Sequence, residues 1–224
     1  MGERDMNYFS EKDIRDIVAG VISGAGAFDP SRGGQTVPVE SSARHVHLTE
    51  DAVSVLFGAG YQLSQKRDLS QPGQFLAQER VKLVTRKGEI DNVAVLGPAR
   101  KQVQVELSLT DARSLGISAP VRLSGDLSGA GDVLILGPAG IYEAKGSVIV
   151  AKAHVHMTPE DAKNYGVSDG QTVRIRLDTA RPTTLDNVEV RVSRASRLAV
   201  HIDFDEANAA AVDANTQGIL IKGR

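Results

Sequence analysis

The amino-acid sequence predicts a mainly β protein with short helices, arranged as two homologous small β-barrels. Three observations lead there. The segment from residue 43 to 52, with the core His45-Val46-His47-Leu48-Thr49-Glu50-Asp51-Ala52, returns at 153–162 with Pro159 inserted and no counterpart of Arg44. Asp91-Asn92-Val93-Ala94-Val95 returns as Asp186-Asn187-Val188-Glu189-Val190. Elsewhere apolar residues alternate over short runs such as Val173-Arg174-Ile175-Arg176-Leu177, bounded by Gly, Pro or Asp-Asn turns. Repetition on this scale means two copies of one unit. Short alternating strands favour small barrels over a doubly wound parallel sheet, and no glycine-rich phosphate loop is present.

In chain order, residues 1–23 hold an amphipathic helix. Ser10 with Asp13 forms a weak capping box, and Ile14, Ile17, Val18, Val21 and Ile22 fall on one face. Residues 24–36 are rich in Gly, Ser, Pro and Asp and read as a flexible linker. The helix either packs on the body or a second copy, or acts as a docking peptide. Residues 37–130 form the first barrel half and 131–224 the second, with a loosely drawn boundary. Each histidine segment reads as a strand entering a helix, with Thr49 and Thr158 as N-caps, acidic first turns, and Pro159 at a first helical position. Further echoes link Leu96-Gly97-Pro98-Ala99 to Leu136-Gly137-Pro138-Ala139, and Gly116-Ile117-Ser118 to Gly166-Val167-Ser168. Strand and turn units are therefore open to exchange between halves.

Composition excludes several functions. With 26 Lys and Arg against 28 Asp and Glu, no bulk field draws the chain to nucleic acid or an anionic membrane. Four Tyr, five Phe and no Trp, scattered, make no base-stacking surface. The absence of cysteine removes disulfides, thiolate ligands and a catalytic thiol. No apolar run approaches the ~20 residues of a membrane span, and Glu3, Arg4, Asp5 and Glu11 do not suit an export signal. A cytoplasmic location is expected.

All five histidines lie in the repeated elements. In a strand, residues i and i+2 share a face with about 7 Å between their Cα atoms, so each His-Val-His can chelate one cation. Val105-Glu106-Leu107 lies opposite Val200-His201-Ile202 in the repeat, which supplies a third ligand to each half. The expected sets are His45, His47 and Glu106, and His154, His156 and His201. Nitrogen and oxygen donors without sulfur suit two zinc ions, with other divalent metals allowed. Arg100 ends the first Leu-Gly-Pro-Ala segment where the second carries Gly140. A guanidinium beside a metal suits an oxyanion or phosphate; a surface ion pair is the plain alternative.

These motifs in this order, the two histidine segments, Leu96-Gly97-Pro98-Ala99-Arg100 and Val103-Gln104-Val105-Glu106-Leu107, resemble PduL-type phosphate propanoyltransferases, the propanediol-utilisation phosphotransacylases. The likeness runs over about residues 37–210. The resemblance implies two β-barrels with a dinuclear zinc centre between them and interconversion of acyl-CoA and phosphate with acyl phosphate and coenzyme A. It places a phosphate-binding role on Arg100 and coenzyme A or phosphate contacts on Ser42, Arg67, Gln74, Gln104, Ser124, Arg191 and Asn208. It further implies a microcompartment-targeting role for residues 10–22, with shell or core proteins as partners, and a homo-oligomer is expected. Without cysteine, direct transfer is expected over a covalent thioester intermediate. The alternatives are a zinc-dependent thioester or phosphoester hydrolase and a non-catalytic metal-binding microcompartment protein.

Overall fold

The alternating runs become fourteen strands and four short helices across residues 35–222, the part of the chain that the computed structural model describes. The expected N-terminal helix and linker residues 24–34 lie outside the described residues. Thr36, the last expected linker residue, already opens strand β1 (Thr36–Ser42). Among the described residues no helix is long and apolar enough to cross a membrane.

The first barrel is a ring of β4 (Phe75–Val84), β5 (Glu89–Gly97), β2 (His45–His47), β6 (Gln104–Leu107), β9 (Ile141–Ala151) and β8 (Gly131–Leu136), closed where β8 pairs with β4. Strand β3 (Gln65–Asp68) extends it beside β4, and β7 (Val121–Arg122) beside β9. The second barrel closes in the same order through β11 (Thr172–Leu177), β12 (Thr183–Val192), β10 (His154–Met157), β13 (Ala199–Asp203), β1 and β14 (Gln217–Lys222). The two rings correspond strand for strand. In each, the histidine strand pairs parallel to the Asp-Asn strand and antiparallel to the strand bearing Glu106 or His201.

The correspondence includes an exchange. Strand β1 precedes the first histidine strand yet pairs parallel with β13 in the second barrel, and β9 precedes the second histidine strand yet pairs parallel with β6 in the first. A division of the chain at residue 130 leaves β8 and β9 on the far side of the cut from the barrel that they complete.

Each ring is filled by its inward residues. Val46, Val93, Val95, Val105, Ile135 and Val148 meet in the first core, and Val155, Val188, Val190, Val200, Ile175 and Ile202 in the second. Fully burying a valine stabilises by roughly 1.5–3 kcal/mol against leaving it exposed, so the period-two register is firmly set. Asn92 and Asn187 both take positive φ, 56° and 62°, which is why an asparagine recurs at that kink.

Helices α1 (Glu50–Phe57), α2 (Leu109–Leu115), α3 (Pro159–Tyr165) and α4 (Phe204–Ala209) follow the histidine strands and their β6 and β13 partners. Thr49 and Thr158 cap α1 and α3, and Asp161 completes a capping box at α3. The Gly116 and Gly166 echo marks left-handed C-caps of α2 and α3. The second Leu-Gly-Pro-Ala segment belongs to the β8–β9 turn of the first barrel, the same barrel as Arg100, instead of the other half. Its Ala139 N–H donates to Leu56 O at 2.9 Å, and Gly137 leaves no room there for a side chain.

Candidate metal centre and substrate cavity

Because Val46 and Val155 point into the cores, the histidines on either side of each turn outward. Ladder register then selects the third member: His45 lies opposite Glu106, and His154 opposite His201. In each set of three, the donor atoms lie within 4.8 Å of one another. His45 Nε2 is 3.5 Å and His47 Nε2 3.9 Å from the Glu106 carboxylate, and His154 Nε2 is 3.1 Å from His156 Nε2.

The donor sets fit a divalent metal. Two ligands about 2.1 Å from one tetrahedral ion stand about 3.4 Å apart. Only an N–H can face a carbonyl, so His45 Nδ1, 2.7 Å from Ala43 O, and His154 Nδ1, 2.8 Å from Lys152 O, carry the ring protons and free their Nε2 lone pairs. His201 Nε2 is buried with no partner in hydrogen-bond geometry. Burial, then the neighbouring histidines and Arg191, push His154 down to about 4 and His156 to about 3. Burial pushes the Glu106 carboxyl up, but His45 and His47 together outweigh it and hold the group far below the usual carboxylate range. His154 and His156 are thus neutral and the Glu106 carboxylate ionised, the states that metal ligation requires.

Both sets open on one cavity of about 1100 Å³. Arg100, Ser42, Arg67, Gln74, Ser124 and Arg191 line it. Arg100 is anchored where its N–H donates to Leu48 O at 2.7 Å, and its guanidinium donates to Ser124 Oγ at 3.2 Å. Arg191 faces His156 across the β10–β12 ladder, at the place where the first barrel has Leu96 opposite His47. That substitution within the repeat puts a second cation on the cavity wall. No described carboxylate lies at ion-pairing distance from Arg100 or Arg191.

Two expected contacts do not line the cavity. Gln104 is buried, and its amide donates to Glu106 Oε1 at 2.6 Å and Ser124 Oγ at 2.7 Å while its oxygen accepts Gly125 N–H at 2.8 Å. It braces residues that face the cavity. Asn208 is exposed on α4.

Sequence reasoning missed Glu40. Its Oε2 accepts the Ser70 hydroxyl at 2.5 Å and lies 3.2 Å from His201 Nε2, delivered by the exchanged strand β1 opposite His201. Nothing in the histidine repeat signals a residue that arrives by strand exchange.

A family model described as phosphate propanoyltransferase matches residues 38–213. The chain is similar to the phosphate propanoyltransferase of Alkaliphilus metalliredigens, 46% identical over 213 residues covering 95% of this chain and 99% of the relative. It is 50% identical over 188 residues to that of Leptotrichia buccalis, covering 84% and 89%, and 48% identical over 211 residues to that of Priestia megaterium, covering 94% and 96%.

Proposed function

From the premise that the chain belongs to the phosphate propanoyltransferase family, we propose that it interconverts acyl-CoA and phosphate with acyl phosphate and coenzyme A, propanoyl being the preferred acyl group and acetyl also accepted. The observation that carries this reading is the convergence of two three-donor sets and the unpaired cations Arg100 and Arg191 on one cavity. His45, His47 and Glu106 would hold one zinc and His154, His156 and His201 the other. When bound, the metals would supply positive charge for the carbonyl oxygen of the thioester and for the departing thiolate.

Arg100 binds the attacking phosphate through paired hydrogen bonds, a geometry that a planar guanidinium offers and an ammonium does not. The Ser124 hydroxyl accepts from Arg100 and Gln104, and it also helps to hold the Glu106 carboxylate in its ionised form. A phosphate oxygen forms the new bond to the acyl carbon as the carbon–sulfur bond breaks and sulfur leaves with the electron pair. The lack of cysteine removes a covalent thioester intermediate, and direct transfer in a ternary complex is proposed over a seryl or glutamyl acyl-enzyme. Rapid isotope exchange between coenzyme A and acyl-CoA without phosphate would contradict that.

Coenzyme A release from propanoyl-CoA, with and without phosphate, tests the whole reading. Phosphate-dependent release supports transfer. Release in phosphate-free buffer means hydrolysis, and no release from metal-loaded protein means a binding role alone. Residues 10–22 are proposed to dock the enzyme, as a homo-oligomer, inside a bacterial microcompartment. Their deletion then leaves turnover intact and abolishes co-sedimentation with the shell.

A further inference from the structure

We propose that Glu40 is a fourth donor to the metal held by His154, His156 and His201, an inference that rests on the two-metal reading above. Strand β1 gives Val37 and Val39 to the second core, so Glu40 faces outward as the histidines do, directly beside His201 on the parallel ladder. Its Oε2 stands 3.2 Å from His201 Nε2, a buried nitrogen that makes no hydrogen bond. Close approach without hydrogen-bond geometry is what two ligands of one tetrahedral ion show, at about 3.4 Å from each other.

The repeat sharpens the assignment. In the first ring the place of Glu40 belongs to Ile149, which lies opposite Glu106 on the parallel β6–β9 ladder, is fully buried and belongs to neither barrel core. The carboxylate has thus moved by one strand between the copies: Glu106 with Ile149 in one ring, His201 with Glu40 in the other. Each set then owns one carboxylate, and each dication is offset by the same single charge. Three imidazoles alone bring no negative charge to the second ion, in a cavity that already contains Arg100 and Arg191.

The carboxylate is held from the other barrel. Ser70, in the turn between β3 and β4, donates its hydroxyl proton to the same Oε2 at 2.5 Å and leaves that oxygen a second lone pair. The next residue, Gln71, is buried and pins the turn to the second barrel: its amide donates to Arg197 O at 3.0 Å, and its oxygen accepts Arg197 N–H at 3.2 Å. Ser70 does for Glu40 what the carbonyls of Ala43 and Lys152 do for His45 and His154, aiming a ligand from outside the coordination sphere.

The test is zinc affinity, measured by chelator competition on the full chain, with metal-free melting temperatures compared to confirm folding. Wild-type chain should hold two zinc ions. Glu40→Gln keeps the size, the Ser70 contact and an oxygen facing His201, and is expected to weaken one of the two ions by about 100-fold while the other is unchanged. Glu40→His makes the exchange that the repeat itself makes between positions 106 and 201: it removes the charge but returns a donor, and should restore that zinc to within about tenfold of wild type. Ser70→Ala, which touches none of the three histidines, should cost about tenfold at the same ion. The inference falls if Glu40→Gln binds both ions as tightly as wild type, or if Glu40→His is no better than Glu40→Gln, since the carboxylate is then a distant counter-charge. A His201→Ala variant that loses one zinc while Glu40→Gln loses none overturns this inference and leaves the metal centre standing. Wild-type chain that binds no zinc overturns the centre and the inference together.

Discussion

A valine between two histidines turns both imidazoles out of their barrel, and the residue facing the first histidine across the ladder completes the set, Glu106 in one copy and His201 in the other. Each set should therefore fail by itself. His47→Ala is expected to lower bound zinc from two per chain to one, and His201→Ala to remove the other, as read by elemental analysis of the folded variants. Arg100 makes no hydrogen bond to either set and donates to Ser124. Arg100→Ala should keep both metals while phosphate-dependent kcat/KM falls about 100-fold or more, the usual cost of removing one donor to a developing charge. The donor sets were legible in the sequence because the repeat aligns Glu106 with His201. Glu40 was not, because its proximity to the cavity comes from the pairing of β1 with β13, which no local pattern encodes.

At the level of single elements, the caps behave as their residues dictate. Helix α4 is the unusual case. Asp203 is its N-cap, Asp205 and Glu206 fill its first turn, and Asp205 also accepts Thr110 N–H at 2.8 Å. Burial first, then the charges of Asp203 and Asp205, raise Glu206 to about 7 from an ordinary 4.5. Because the folded value lies above the unfolded one, the folded chain holds this proton more tightly. Its contribution to stability is full below about pH 4.5 and is lost as pH rises through about 7. The melting temperature is expected to fall between pH 5 and 8, and Glu206→Gln, which keeps the acceptor for Asp203 N–H, should flatten that slope. If the slope is unchanged in the variant, another group is responsible. The Asp-Asn kinks and the Gly116 and Gly166 caps were legible as repeated letters. Which helix or turn each echo belongs to was not: the Leu136–Gly140 turn packs on α1 of the barrel that also carries Arg100.

For the whole molecule, barrel closure depends on strands that come from the other end of the chain. The first ring needs β8 and β9, and the second needs β1 between β13 and β14. Fragments 37–130 and 131–224, expressed separately, are each expected to lack a cooperative melting transition by circular dichroism, whereas the intact body melts in one step. Two independent transitions in the intact chain would contradict this. Short alternating strands gave the fold class from sequence, but alternation fixes which face of a strand is buried and leaves its neighbours undetermined, so the exchange stayed hidden until the pairings were known.

Because the exchange is reciprocal, a chain of one repeat would carry a leading strand that completes another ring and not its own. Two such chains would have one each to offer. They could close only as a pair, trading β1-like strands across a two-fold axis, with the cavity lying on that axis and one donor set facing it from either side. A single chain is free of that symmetry, and its halves carry glutamate against histidine, and leucine against arginine, at matching positions.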